Sequence, residues 1–205
     1  MRAMAIAAVA GLMAAGVVAA PPSAAPDHRH EAMEAAPPRG DSVYALSASL
    51  VDQHGRPVGL DLFRGHPVLI SMFYASCPDA CPLLIADLQR IEREMPRRIK
   101  ADLRVVLVSV DPERDTPDAL RALARARHVD ESRWGLLRAP EDTVREIAAL
   151  LGIKYRRLAD GNFNHSSVIT LLNPDGVVLA RHEGIGGPHT ALLRNLQSAQ
   201  SAPRR

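Results

Sequence analysis

The sequence has few cysteines, few aromatic residues and no block of basic residues. Only two of its 205 residues are cysteine, and aromatic side chains make up 3% of the chain. The 25 basic and 23 acidic residues leave a net charge of +2. Because nucleic-acid-binding proteins usually concentrate basic residues, this near balance argues against a nucleic-acid partner. Hydrophobic residues still reach 47%, so we expect one folded domain with an aliphatic core.

The first 25 residues have the pattern of a targeting segment. Arg2 gives a positive start, residues 3–20 are uncharged and apolar, and small residues follow. This order predicts a secretory signal peptide, but the apolar run is also about 18 residues long, which is enough for an uncleaved membrane anchor. In either case the folded part is exported to a compartment where thiols tend to oxidise. We expect a periplasmic protein, or one tethered to the inner membrane and facing the periplasm.

Residues 26–42 are interpreted as a flexible linker, and residues 43–200 as the folded domain. The linker holds several prolines among alanine and charged residues, and it shows no apolar periodicity. His28 and His30, with Met33 nearby, could bind copper weakly. A solvated tether is the simpler interpretation of the same residues.

Hydrophobic patterning in residues 43–200 predicts strands that alternate with helices. The predicted elements are a strand pair over residues 45–51 and 58–60, a strand over 68–74, a helix over 82–95, a strand over 103–110, a helix capped by Thr116, a helix over 141–151, a hairpin over 168–180 and a helix over 190–197. Such alternation indicates an α/β fold, a central mixed sheet flanked by helices, here with an N-terminal strand pair. Trp134, the single tryptophan, is predicted to lie in the core.

The two cysteines, Cys77 and Cys81, follow the predicted central strand directly and lead into a helix. This position, with the terminal hairpin and helix, is the layout of thioredoxin-like domains. On a helix their spacing places both sulfurs on one face, with Cα atoms about 6 Å apart. A helix N-terminus also favours thiolates. The pair can therefore exchange disulfides, reduce a peroxide or hold a soft metal, whereas a static disulfide would restrain the unfolded chain little.

Three residues separate the cysteines, one more than in most thioredoxin-type redox motifs, and this wider spacing suits two thiolates on one metal ion. Copper(I) prefers thiolate and accepts imidazole, so a third ligand should be a histidine. Of the eight histidines, His165 precedes the first strand of the terminal hairpin. In a thioredoxin-like fold that position packs beside the dithiol turn. His165 is therefore the predicted third ligand.

Residues 77–82, residues 108–117 and His165 together resemble the Sco/SenC family of copper chaperones, over about residues 43–196. The resemblance implies a thioredoxin-like fold in which Cys77, Cys81 and His165 bind one copper ion, as Cu(I) or Cu(II). It also implies a role in assembling the copper centre of cytochrome c oxidase. The partner would be the oxidase subunit that carries this centre, or another copper protein. Residues 75–76 and Asn164 depart from the commoner family pattern.

Two other functions stay open from the sequence. An exported thiol-disulfide oxidoreductase would use Cys77 and Cys81 as its catalytic redox dithiol and would not need His165. A peroxiredoxin-like peroxidase would want a threonine ahead of the attacking cysteine, and this chain does not supply one. The nearby carboxylates Asp111 and Asp115 are interpreted as structural, with Asp115 helping to cap the next helix.

Overall fold

The structure, a computed structural model, describes residues 42–201 of the chain. The predicted targeting segment and nearly all of the predicted linker, with His28 and His30, lie outside the described residues. Within residues 42–201 no helix combines the length and the apolar character needed to cross a bilayer.

A mixed β-sheet forms the centre of the described chain. The strands are β1 (Leu50–Asp52), β2 (Pro57–Val58), β3 (Val68–Phe73), β4 (Arg104–Ser109), β5 (Trp134–Arg138), β6 (Tyr155–Arg157), β7 (Phe163–His165), β8 (Val168–Leu172) and β9 (Val178–Glu183). Among the described residues, seven of them form one sheet in the order β2-β1-β5-β4-β3-β8-β9, and β6 pairs with β7 in a separate two-stranded sheet. β3, β4 and β5 run parallel, and the remaining pairs are antiparallel.

Helices connect the strands, and their apolar faces join the sheet in one hydrophobic core. They are α1 (Ala80–Glu94), α2 (Arg97–Asp102), α3 (Pro117–Ala126), α4 (Glu141–Leu151) and α5 (Thr190–Ser201), with short 3-10 helices at Val43–Ala45 and Leu60–Phe63. Thr116 caps α3 as predicted, because its side chain accepts a hydrogen bond from the Ala119 amide at 3.3 Å. The predicted sheet flanked by helices is confirmed.

The two central strands explain where the dithiol lies. β3 and β4 are parallel neighbours whose residues are almost all buried, as expected for strands covered on both faces. Parallel neighbours end at the same edge of a sheet. The segment after Phe73, which carries the cysteines, therefore lies beside the segment after Ser109, which carries two buried carboxylates.

Several element boundaries differ from the sequence prediction. Residues 45–49 are not a strand: Ala45 ends a 3-10 helix, and pairing begins only at Leu50 with β2 and at Val51 with β5. The helix α2 and the strands β5, β6 and β7 were not predicted. The core position of Trp134 is confirmed: the residue is 2% exposed in β5, and its indole donates to Glu92 at 3.2 Å.

Candidate metal centre

The two cysteines lie at the start of α1, but they are not on one helix. Cys81 is in the first turn of α1, whereas Cys77 lies in the loop before it. The prediction that both occupy one helical face is therefore wrong. Pro78 contributes to this, because helical backbone angles are disfavoured for a residue that precedes proline. The loop nevertheless brings Cys77 back over the helix start, where the Cys81 amide donates to its sulfur at 3.3 Å.

Backbone amides point at both sulfurs, and the two thiols differ in acidity. Burial alone would raise the pKa of Cys77, but hydrogen bonds from the amides of Cys81 and Asp79 and from the Cys81 thiol hold that pKa below its usual value. Burial raises the pKa of Cys81 strongly, although the Tyr74 amide donates to its sulfur at 3.4 Å. Cys77 is half-buried and Cys81 is buried, and both are free thiols. The dithiol thus has one accessible, acidic thiol and one that is buried and keeps its proton.

His165 lies at the end of β7 and faces the dithiol. Its Nε2 is 3.8 Å from the Cys81 sulfur, and its Nδ1 lies 3.2 Å from the Ser166 carbonyl oxygen. A carbonyl can only accept, so the ring proton belongs on Nδ1 and the lone pair of Nε2 points toward the sulfur. Burial lowers the pKa of His165 and so favours the neutral imidazole that binds metals. The structure thus brings together the three residues that the sequence singled out.

The separations suit a soft metal ion. Metal–sulfur and metal–nitrogen bonds in tetrahedral protein sites are about 2.3 and 2.0 Å long. With an angle of about 120° at the metal, such bonds place sulfur and nitrogen about 3.7 Å apart, close to the 3.8 Å between the Cys81 and His165 atoms. The donor set of two sulfurs and one imidazole also suits copper(I) better than hard cations. The donor types and the separation of Cys81 from His165 therefore fit a copper ion.

Tyr74 is a residue of this site that sequence reasoning missed. It is the first residue after β3 and is 4% exposed. Its hydroxyl donates to the Phe163 carbonyl at 3.2 Å, and its ring meets the His165 ring nearly edge-on, with 6.1 Å between centroids. Tyr74 therefore ties the loop of the cysteines to the strand of the histidine. The signal available in the sequence was an aromatic residue with a polar tip, three positions before the first cysteine.

Asp115 supports the loop of the cysteines and does not cap α3. Its carboxylate accepts hydrogen bonds from the Ala75 amide at 3.0 and 3.2 Å and from the Ser109 hydroxyl at 2.6 Å. The predicted capping role is wrong, because Thr116 is the cap and Asp115 is turned inward with 1% exposure. Burial raises the pKa of Asp115. Asp111, also buried, pairs with Arg114 at the surface.

A second polar cluster lies two turns further along α1. Asp87 accepts hydrogen bonds from His189 Nε2 at 3.1 Å, from Arg90 at 2.9 Å and from the Gly186 amide at 2.9 Å. The side chains of Asp87 and His189 are 4% and 0% exposed. His182 packs against His189 with ring centroids 4.7 Å apart. The ligand atoms of the aspartate and the two histidines lie within 4.8 Å of one another, close enough to be considered for a metal ion.

The hydrogen bonds argue that this cluster is a structural network and not a metal site. Arg90 Nη2 lies 3.3 Å from His189 Nδ1, and a guanidinium can only donate. Nδ1 is then an acceptor, so the proton of the neutral ring sits on Nε2 and is given to Asp87. The Nδ1 lone pair faces this guanidinium, which also donates to Asp87 and to the Gly187 carbonyl oxygen, so it is not open to a metal ion. Arg90 also places a positive charge against the carboxylate that a cation would need.

Three comparisons relate the chain to known proteins. A family model described as SCO1/SenC matches residues 38–199. An SCO2-like protein of Rickettsia prowazekii is 30% identical over 133 residues, which are 62% of this chain and 63% of that protein, under two thirds of its length. Bradyrhizobium japonicum ScoI, solved with copper bound, matches with a TM-score of 0.61 and 24% identity over 74% of this chain and 96% of that one. BsSco, described as a member of the Sco family of cytochrome c oxidase assembly proteins with a disulfide switch, matches with a TM-score of 0.65 and 24% identity over 76% and 92%.

Proposed function

The chain belongs to the SCO1/SenC family, and we propose that it is an exported copper chaperone. Residues 43–200 form the copper-binding domain, and Cys77, Cys81 and His165 hold one copper ion. The segment of residues 1–25 exports this domain, as a cleaved signal or as a membrane tether. The observation that carries the proposal is the approach of His165 Nε2 to within 3.8 Å of the Cys81 sulfur.

The protonation states support copper binding. His165 is neutral with its free lone pair directed at the dithiol, so the imidazole needs no proton loss before it binds a metal. The Cys77 thiol is already acidified by amides at the start of α1. Only Cys81 has a raised pKa and must still lose its proton when it binds the metal. The positive charge of the metal ion offsets the free-energy cost of that deprotonation. When bound, copper supplies a soft electrophilic centre for transfer to other thiolate and imidazole ligands.

The proposed recipient is a copper centre of cytochrome c oxidase. Family membership supports this role, and a related solved protein is described as an assembly protein of that enzyme. The half-exposed Cys77 gives an incoming ligand an approach to the metal, since Cys81 is buried beneath it. A chaperone must release its cargo, and a site open on one side permits ligand exchange.

A transfer experiment tests the proposal. The full chain is loaded with one equivalent of copper(I) under anaerobic conditions and mixed with the metal-free copper-centre domain of an oxidase subunit. We expect copper to leave the chaperone and to be recovered with the recipient, as measured by the copper content of each protein after the two are separated. The His165→Ala variant should fail to retain copper through a desalting column, whereas His54→Ala, altered in a surface turn, should behave as wild type. Retention of copper by His165→Ala at wild-type stoichiometry would contradict the proposed ligand set.

A second function, thiol-disulfide exchange, is favoured by the difference between the two thiols. An accessible acidic cysteine beside a buried cysteine of raised pKa is the arrangement of an attacking and a resolving thiol. Reduction of a disulfide in the recipient would require both cysteines but not His165. Disulfide reductase turnover that persists in His165→Ala and is lost in Cys77→Ser would support this function, and equal loss in both variants would count against it.

A further inference from the structure

The edge of the sheet opposite the dithiol is formed by the first residues of β3, β4 and β5. A helix that joins two parallel strands carries the chain back to the edge where the strands begin. The Arg104 amide donates to the Pro67 carbonyl at 3.0 Å, and the Gln89 side chain on α1 donates to the carbonyl of Arg127, just after α3, at 2.8 Å. The ends of α1 and α3 and the whole of α2 therefore lie at this edge.

Five exposed arginines lie at this edge, and together they are called the basic end. Within residues 42–201 none of the five side chains has an ion-pair partner. Glu94 lies 3.9 Å from Arg90. Glu92 and Asp130 both pair with Arg133, so these acids do not neutralise the basic end. The members of the basic end are Arg93, Arg97, Arg98, Arg125 and Arg127.

The stability of the helices explains only some of these arginines. Positive charge is favourable in the last turn of a helix, where Arg93 lies on α1 and Arg125 on α3. Arg97 and Arg98 are instead the first two residues of α2, where positive charge is unfavourable. The basic end therefore carries a repulsion that the described part of the chain leaves in place, and a partner of negative charge would relieve it.

The described chain begins at the same edge of the sheet. Ser42 forms a bridge with Val177, just after the turn between β8 and β9. Leu172, at the end of β8, pairs with Val68, at the start of β3. The predicted targeting segment, residues 1–25, precedes Ser42 in the chain. A membrane tether formed by that segment would therefore join the domain at the edge that carries the basic end.

We propose that the basic end docks on the anionic headgroups of a membrane surface. The arginines come from three helix ends and form a broad charged surface, which matches a layer of headgroups better than a single phosphate. Each arginine near an anionic surface strengthens binding about fivefold. The six residues of β3 span about 20 Å, so a docked domain holds the copper ligands at least that far from the bilayer and open to a recipient. The inference goes beyond the proposed function and shares with it only the export of the chain.

Arginine modification tests the contact in the full chain. The chain is incorporated into vesicles of phosphatidylcholine, alone or mixed with phosphatidylglycerol, and phenylglyoxal modification is followed at each arginine by peptide mass spectrometry. In the mixed vesicles we expect the rate at Arg97 and Arg98 to fall by at least about threefold, and to recover in high salt, which screens exposed charges. Arg156 is exposed on β6, beside the strand of His165, and should react equally in both vesicles. Equal rates at Arg97 and Arg98 in both vesicles would overturn the proposal.

Charge reversal gives a second test. In the double variant Arg97→Glu and Arg98→Glu, the protection of Arg93 by anionic vesicles should be lost. Lys154→Glu with Arg156→Glu makes the same change of charge at the copper end and should keep that protection. Protection of Arg93 that persists in the first variant would contradict the docking surface.

Two further outcomes separate this inference from others. Protection of Arg97 by an acidic oxidase domain in neutral vesicles, without protection by anionic lipid, would assign the basic end to a protein partner and overturn the membrane contact. Copper(I) stoichiometry is measured on the same samples and should not change when Arg97 and Arg98 are replaced. A wild-type chain that binds no copper would contradict the proposed function, while the modification rates would still decide whether the basic end meets the membrane.

Discussion

Two polar clusters contact α1. Each contains a buried histidine, but the hydrogen bonds of the two histidine rings differ. At the first turn, Cys81 meets His165, whose Nε2 lone pair is directed at the sulfur. Two turns later, Asp87 meets His189, whose two ring nitrogens are both occupied by hydrogen bonds. Each histidine comes from far along the chain and packs against the same helix. The difference lies in what the remaining nitrogen of each ring contacts.

The comparison shows that the neighbour of the second nitrogen decides what a buried histidine can do. At His165 the neighbour is a carbonyl, which accepts the ring proton and frees Nε2. At His189 it is the guanidinium of Arg90, which takes the lone pair and forces the proton toward Asp87. A group of possible ligands close together in space is therefore not sufficient to indicate a metal site. The protons must also be arranged to leave a lone pair free.

The largest effect should come from replacing each of the two histidines in turn with alanine and comparing the copper affinity of the two variants. We expect His165→Ala to lower copper(I) affinity by at least about 100-fold, since it removes one of the three proposed ligands and so should exceed the loss typical of a supporting group. His189→Ala should change affinity less than about threefold, but it should destabilise the fold. Competition with a chromophoric copper(I) chelator measures affinity, and urea unfolding measures stability. A large affinity loss in His189→Ala would mean that the two clusters are not separate.

The next largest effect is on stability at the Asp87 network. Asp87→Asn keeps the shape of the side chain but removes the charge from a carboxylate with three donors, and we expect a loss of about 2 kcal/mol in the free energy of unfolding. Asp118→Asn is the matched control, because Asp118 pairs with Arg121 at the same i,i+3 spacing on α3 but its side chain is 83% exposed. Exposed pairs contribute about 0–1 kcal/mol. Equal losses in the two variants would contradict a role for burial.

More of the candidate metal centre than of the Asp87 network could be predicted from the sequence. The dithiol and His165 were identified because cysteine is rare in this chain and because the resemblance joined distant motifs. The position of Cys77 in the loop before α1 was not predicted, although Pro78 disfavours a helical residue before it. The missed strands β6 and β7 are short and polar, so no periodicity marked them. Their pairing is nevertheless what presents His165.

The sequence contains one sign of the Asp87 network, a carboxylate within the apolar face of a helix. The apolar face of α1 includes Leu84, Leu88 and Ile91, all of which are buried. Asp87 is three residues after Leu84 and therefore lies on the same face. A carboxylate within an apolar stripe requires a buried partner. Which partner it takes depends on the loop after β9, and the sequence alone does not indicate where that loop packs.

The pH dependence of stability should differ in sign between Asp87 and Asp115, the buried carboxylate that supports the loop of the cysteines. Hydrogen bonds from Gly186, Arg90 and His189 outweigh burial and lower the pKa of Asp87, so its contribution is present above the unfolded pKa of about 4 and lost as pH falls through the folded pKa. Burial raises the pKa of Asp115, so its contribution is present at low pH and lost as pH rises through the folded pKa.

Urea unfolding between pH 3 and 7 would measure this contrast. The advantage of wild type over Asp87→Asn should narrow only in the acid range. The advantage over Asp115→Asn should shrink as pH rises, by about 1 kcal/mol for each unit of raised pKa. Parallel pH curves for the two variants would contradict the opposite protonation preferences of the two carboxylates.

The smallest change in the free energy of unfolding should come from the loop after β9, which supplies the Gly186 amide to Asp87. Gly186 has a φ of +81° and gives its amide to Asp87, and Gly55 has a φ of +80° in a turn of the N-terminal strand pair. A Cβ at either position meets no atom within 4 Å, so alanine pays only backbone strain, about 1 kcal/mol in each case. Relaxing that strain at position 186 moves an amide away from a buried carboxylate. We therefore expect Gly186→Ala to destabilise the protein by about 0.5 kcal/mol more than Gly55→Ala. Urea unfolding of both variants measures this difference. Equal losses of unfolding free energy would mean that the Gly186 amide does not stabilise Asp87.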